Sequence, residues 1–369
     1  MNRQYVDIHV IQTVPPSNVN RDDTGSPKTA TYGGALRARV SSQAWKRATR
    51  KHFEVTVNPN DLGVRTKRVV ELIDDELKVL APESDAVARH DAIVAVLTAA
   101  GIKLTKSRKG SDEPEESQYL IFFSRAQISD LASLAQERMG GGESVKSRVV
   151  KAITEKNSID LALFGRMVAD VPGFNVDACA QVAHAISVHA VDNEFDYYTA
   201  VDDHKVASGD EDAGAGMIGT VEFNSSTLYR YATVNVQQLA TNLGSGTAVA
   251  GAVAAFIASF VKSLPTGKQN TFANRTLPDA VVITVRDDQP VNWVGAFEKP
   301  IKGEGRVSAA SKALATYAKN LEAAYGDGRK GTWVVGVGAA VSDLEVLGER
   351  VSFDAAVAAA SGAVSVEWE

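Results

Sequence analysis

The sequence predicts an α+β protein, a mixed sheet covered by helices, with a helical insertion and a projecting hairpin. Alternating, β-rich runs recur along the chain at residues 5–11, 228–236, 280–285 and 332–337. Helical patterns fall between them, at 42–52, 247–264 and 308–325, so strands and helices interleave. Residues 56–158 differ in character, with helical patterns at 66–80 and 85–100 and a charged stretch, KSRKGSDEPEES.

In chain order, residues 5–11 place Val6, Ile8 and Val10 on one face and Tyr5, Asp7, His9 and Ile11 on the other, a strand with one packed and one presented face. A Pro-, Asn-, Asp- and Gly-rich loop covers 15–34, and Ser41 or Ser42 caps a helix ending near His52. The lobe at 56–158 contains, after its charged stretch, a glycine hinge at 140–142. Residues 159–169 then look strand-like and 178–190 look helical. Residues 191–228 carry aromatic and β-branched arms around a centre rich in Gly, Asp and Ala, which reads as a long hairpin with a mobile tip. No internal repeat is visible.

The chain has 369 residues, 44% of them hydrophobic, enough for one large core or two modest ones. Its single cysteine, Cys179, excludes an intramolecular disulfide and a zinc ribbon and fits a reducing compartment. The first residues lack the apolar core of a signal peptide, and 247–264 is alanine-rich and carries Lys262, so a cytoplasmic protein without a membrane span is expected. A net charge of -6 argues against a general DNA-coating protein. The distribution is more telling. Residues 28–51 hold Lys28, Arg37, Arg39, Lys46, Arg47, Arg50 and Lys51 and no acid.

The strongest local signal is VSSQAWKRATRK. A capped helix start directs backbone amides outward, and Gln43, Lys46 and Arg50 share one face suited to a phosphate backbone. The alternative is a solvated basic face. Phe195, Tyr197 and Tyr198 are candidates for stacking on bases, or for packing across the hairpin. Enzyme readings are weaker. His184 and His189 are five apart on a predicted helix, the wrong spacing for two ligands on one face, and His90–Asp91 lacks the further partners of a metal phosphohydrolase. Gly267–Lys268 and the Gly244, Ser245, Gly246 run match neither a phosphate loop nor a nucleophile elbow. Asp22 and Asp23 can hold magnesium for phosphodiester cleavage or can order a turn.

These residues belong to a wider pattern. NRDD (20–23), YGG (32–34), RVSSQAWKRATRK (39–51), GRM (165–167), HAISVHAVD followed by DYYTAVDD, YRYATVNV (229–236), GKQNTFA and AFEK resemble, in order, the CasC family, the backbone subunit of the type I-E CRISPR Cascade surveillance complex. The resemblance covers about 300 residues. It implies a modified RRM-like (ferredoxin-like) palm from residues 1–55 and 159–369, helical fingers at 56–158, and a thumb hairpin at 191–228. It also implies head-to-tail stacking along a crRNA, with other Cascade subunits as partners and target DNA reached through the guide. RNA-contacting positions carried over are Arg21, Lys28, Ser41, Ser42, Gln43, Lys46, Arg50, Arg166, Met167, Tyr197, Tyr198, Thr199, Val201, Lys268, Lys299 and Lys302. Tyr197–Tyr198 stands where the family commonly has Trp-Phe. No catalytic residue, metal or cofactor is implied. The other readings are a metal-dependent ribonuclease subunit using Asp22 or Asp23, and an assembly protein whose basic helix binds an acidic partner.

Overall fold

In the computed structural model, which describes residues 3–106, 114–142, 146–168, 171–200, 207 and 217–364, the first alternating run forms β1 (Tyr5–Ser17). β2 (Thr29–Tyr32) and β3 (Ala35–Val40) make a hairpin. Gly33 and Gly34 form its turn at φ 57° and 73°, the left-handed region where glycine is unstrained. α1 (Ser42–Thr56) follows and runs past the expected end at His52, because Phe53 is fully buried on its inner face. Next come β4 (Gly63–Thr66), α2 (Val69–Leu80), α3 (Ala86–Ala99), β5 (Leu104–Thr105), β6 (Glu116–Ser117), β7 (Ile121–Ser124), α4 (Arg125–Met139), α5 (Lys146–Thr154) and α6 (Ile159–Phe164). The chain continues through β8 (Ala180–Val182), β9 (Ala185–Ser187), β10 (Glu194–Ala200), β11 (Met217–Asn235), α7 (Val236–Leu243), α8 (Val249–Lys262) and α9 (Gln269–Phe272). It ends with β12 (Ala280–Arg286), α10 (Arg306–Tyr325), β13 (Arg329–Gly336), β14 (Glu349–Arg350) and α11 (Phe353–Ala363).

The chain divides into two compact units, residues 1–52, 182–233 and 256–363 in the first and 53–181, 234–255 and 364–369 in the second. The sheet runs β14-β13-β12-β1-β11-β9-β3-β2, with β8 and β10 also paired to β11. β1 lies antiparallel to β12 in the register Val6↔Val285, Ile8↔Ile283. The expected presented face of β1 is buried as well, with Asp7, His9 and Ile11 each 1% exposed. Hydrogen bonding makes this tolerable. The Asp7 carboxylate accepts the Tyr231 hydroxyl at 2.8 Å and the Val291 N–H at 2.9 Å. His9 stacks on Trp293 with centroids 3.7 Å apart, and its Nδ1 lies 2.9 Å from the Tyr229 hydroxyl. Burial pushes the Asp7 carboxyl up to about 6.

In the second unit, α2, α3, α4 and α5 enclose a core that includes Ile73, Leu77, Ile93, Leu97, Leu131 and Ile153. Asp85 caps α3, and Ser124 with Gln127 forms a capping box at the start of α4. The unit extends beyond 56–158. Asn242 of α7 donates to the Ala162 and Asp177 carbonyls, and Asn157 donates back to the Asn242 carbonyl, so α7 is tied to the α6 region.

Two further expectations fail. Residues 159–164 are helical, not strand-like, since a short apolar run is ambiguous by periodicity and Gly165 at φ 75° ends it. Residues 180–187 form strands instead of a helix, because pairings such as Arg39↔Ile186 and Leu228↔Ser187 outweigh the weak preference of an alanine-containing segment. Residues 249–262 form a helix with Phe256, Ile257 and Phe260 fully buried. Among the described residues, no helix is long and apolar enough to cross a membrane.

Candidate nucleic-acid interface

The basic face begins where α1 leaves β3. The Ser41 hydroxyl accepts the Ala44 N–H at 3.3 Å, so Ser41 acts as the cap, and its own N–H donates to Asn20 Oδ1 at 2.8 Å. That second bond fastens residues 20–28 to the helix start. Within the loop, Asp22 Oδ1 accepts the Thr24 N–H at 2.9 Å, the Thr24 hydroxyl at 2.7 Å and the Ser26 N–H at 3.0 Å. These bonds, that of the Thr24 hydroxyl first, hold the Asp22 carboxyl below the usual range. Asp22 therefore orders a turn. Arg21 pairs with Pro27 across it, and the Lys28 N–H reaches the Asn20 carbonyl at 2.9 Å.

A positive cluster lies beside this loop. Arg39 donates through Nε to the Thr29 carbonyl, and its Nη1 lies 3.2 Å from His184 Nδ1. Burial, then Arg39 and Lys28, lower the His184 pKa, which fits a neutral ring. Gly267 brings a fourth segment in. A Cβ there would stand 2.1 Å from the Val19 carbonyl oxygen, so only glycine permits this approach of the segment that carries Lys268 to residues 18–19. Asn18 Nδ2 donates at 2.9 Å to the carbonyls of both Gly25 and Glu222, joining the loop to β11.

On α1, Gln43 and Arg47 are exposed while Ser42, Lys46 and Arg50 are half-buried. Burial lowers the Lys46 ammonium from its usual value. The opposite side of the helix is anchored. Trp45 is 0% exposed, and the buried Arg230 guanidinium lies 3.7 Å over its ring. Arg230 also donates to Gln12 Oε1 at 2.5 Å and to the Phe260 carbonyl, and burial pushes its pKa down to about 9.

The structure thus gathers Arg21, Lys28, Ser41, Ser42 and Lys268 around residues 18–20. It sets other expected residues elsewhere. Lys299 and Lys302 are both exposed, and Lys299 follows Glu298, whose carbonyl abuts Gly33 in the β2–β3 turn, at the end of β2 opposite Lys28. Arg37, counted in the basic run, is 0% exposed and donates to the carbonyls of Tyr32, Ser187, Phe297 and Glu298, so it is a structural brace. Arg166 is likewise internal. Its guanidinium donates to the Phe174, Phe122 and Ile153 carbonyls and to Gln127 Oε1 within the second unit. Its neighbour Met167, also in that unit, is 82% exposed.

β10 and β11 form the expected hairpin, paired Tyr197↔Thr220 and Tyr198↔Gly219. Alternation places Tyr197 on the same face as Phe195 and Thr199 and puts Tyr198 on the other. Phe195 and Tyr197 are 65% and 63% exposed. Tyr198 lies over Gly219, where an added Cβ would meet its ring at 2.4 Å. The two tyrosines therefore do not form one flat wedge. Val201 and residues 208–216 lie outside the described residues. The histidines proposed for a helix are not on one. His184 faces Arg39, and His189 follows β9, donating from Nδ1 to the Ala190 carbonyl at 2.8 Å. The joining of Arg39 to His184 is not legible in the sequence, since 145 positions separate them and no local pattern marks the pair.

Among the described residues, no group of three His, Cys, Asp or Glu side chains is placed to hold a metal ion. No curated protein matches the chain. Solved structures do. A chain of a structure described as "CRISPR RNA-guided surveillance complex, pre-nicking" is 36% identical with a TM-score of 0.86, covering 97% of this chain and 99% of that one. A chain of a "CRISPR RNA-guided surveillance complex" is 32% identical with a TM-score of 0.75, covering 98% and 100%. The model of the CT1975-like protein family, Cas_CT1975, matches residues 6–359, and on that near-complete match the chain belongs to this family.

Proposed function

We propose that the chain is the guide-RNA-binding backbone subunit of a type I-E Cascade complex, stacking head to tail along a crRNA, displaying its bases to target DNA and catalysing nothing itself. The observation that carries this reading is the cluster of Arg21, Lys28, Arg39, Lys46 and Lys268, none of which has an acidic partner among the described residues. Many cations elsewhere are paired, as in Arg148–Glu137 and Arg286–Asp288. Cations left unpaired around a capped helix start suit a polyanion. The similarity to chains of RNA-guided surveillance complexes supports RNA as that polyanion. Gripping backbone from the side leaves bases free to pair.

Co-expression with a repeat–spacer transcript and candidate partner subunits tests the reading. The expected product is a large nucleoprotein whose RNA shows evenly spaced reactive nucleotides on chemical probing. Replacing Phe195 and Tyr197 by Ala, which clears the exposed face of β10, should abolish that spacing. A product free of RNA would refute the assignment.

The ribonuclease alternative makes an opposite prediction. Because Asp22 is committed to its turn, the assembled complex should leave matched RNA and DNA intact in magnesium or manganese. Cleavage that disappears in Asp22→Ala or Asp23→Ala would establish an enzyme.

A further inference from the structure

A cleft of about 550 Å³ opens in the first unit at the start of α10, lined by residues of β1, β11 and the 303–308 segment. Four features give it the chemistry of an anion site. Gly305 caps α10 at φ 65° without a side-chain hydrogen bond. The first amide bonded back into this turn is that of Ala309, to the Gly305 carbonyl at 3.0 Å, so the N–H groups of Arg306, Val307 and Ser308 precede the helical ladder and border the cleft. Arg306 has no ion pair among the described residues. Ser226 and Thr227, 7% and 4% exposed, line the cleft, and neither hydroxyl has a hydrogen-bond partner among the described residues.

His189 fixes the arginine. Its Nδ1 donates to the Ala190 carbonyl, which leaves Nε2 as an acceptor for the Thr227 N–H at 3.1 Å and for Arg306 Nη1 at 3.2 Å. Burial first, then Arg306 and Arg37, lower the His189 pKa, so the ring stays neutral and leaves the charge of Arg306 uncompensated. The acid in the lining, Glu304, is exposed.

We infer that this cleft binds one backbone phosphate of a single-stranded nucleic acid, held by Arg306, the first-turn amides of α10 and the hydroxyls of Ser226 and Thr227. The inference rests on the proposed RNA-binding function and adds a contact on elements other than α1. The size favours a nucleotide over a lone carboxylate, because Val14 and Pro15 leave an apolar wall beside the phosphate position for the sugar or base. Continuity favours it too. Residues 225–227 of β11 lie just beyond Phe223, which pairs with Glu194 at the base of the exposed hairpin, so a strand lying along that hairpin leads to the cleft.

The test is anisotropy of a fluorescein-labelled single-stranded RNA with the full chain over a range of potassium chloride. Arg306→Gln should flatten the slope of log K against log salt by about 0.7, with an unchanged thermal midpoint. Arg306→Lys should restore the slope. Lys46→Ala supplies the comparison, and its loss should add to that of Arg306→Gln. If Lys46→Ala flattens the slope and Arg306→Gln does not, the cleft is not a phosphate site although the functional reading stands. If the wild-type chain binds no RNA, both fall. Loss of RNA-free self-association in Arg306→Gln, with RNA binding intact, would assign the cleft to an acidic side chain of a second copy and overturn the inference.

Discussion

Replacing Lys46 and Arg50 together by alanine is expected to weaken binding of guide RNA about equally for every spacer sequence. Both residues lie on the α1 face that begins at the Ser41 cap, beside the loop held by Asn20, so they meet a strand from its phosphate side. Contacts of that kind carry no sequence information. Each contact releases counterions, so the double variant should lower the log–log salt slope by about 1.4, twice the single-strand value of about 0.7. Folding should be untouched, because the helix is anchored by Trp45, Thr49 and Phe53 on its other side. Electrophoretic or anisotropy titrations with several spacers read the result. A loss confined to some spacers, or a wild-type slope, would place RNA elsewhere.

Trp45→Ala is expected to have the largest effect on stability, about 3–5 kcal/mol, from the cavity left by a fully buried indole. Its partner makes the prediction sharper. The Arg230 guanidinium lies over the rings of Trp45 and Phe260, at 3.7 and 4.6 Å, with no carboxylate bound to it among the described residues. A desolvated cation over an indole is worth about 2 kcal/mol, so a double-mutant cycle of Trp45→Ala with Arg230→Ala should show a coupling of that size. Denaturant unfolding measures it. A coupling near zero would mean that the two side chains merely adjoin. The stack also seats α1, so Trp45→Ala should weaken RNA binding beyond the loss attributable to unfolded chain.

The sequence by itself determined the class of fold, the strand at β1, the helices at α1, α8 and α10, the hairpin of β10 and β11, and the basic character of residues 28–51. These follow from period, turn residues and charge within a short window, which is all that local chemistry can encode. The tertiary structure decided the rest. Residues 180–187 became strands because β3 and β11 offered main-chain partners, and Asp7 and His9 turned inward because Tyr231, Tyr229 and Trp293 were there to receive them. Of the basic residues, Arg37 and Arg166 are consumed by internal carbonyls while Lys28 and Arg39 gather with His184. A sequence shows that a cation is present. Whether its hydrogen bonds go to the protein's own backbone or remain for a ligand depends on groups that folding brings near it from other elements, as Ser187 is brought to Arg37 across a separation of 150.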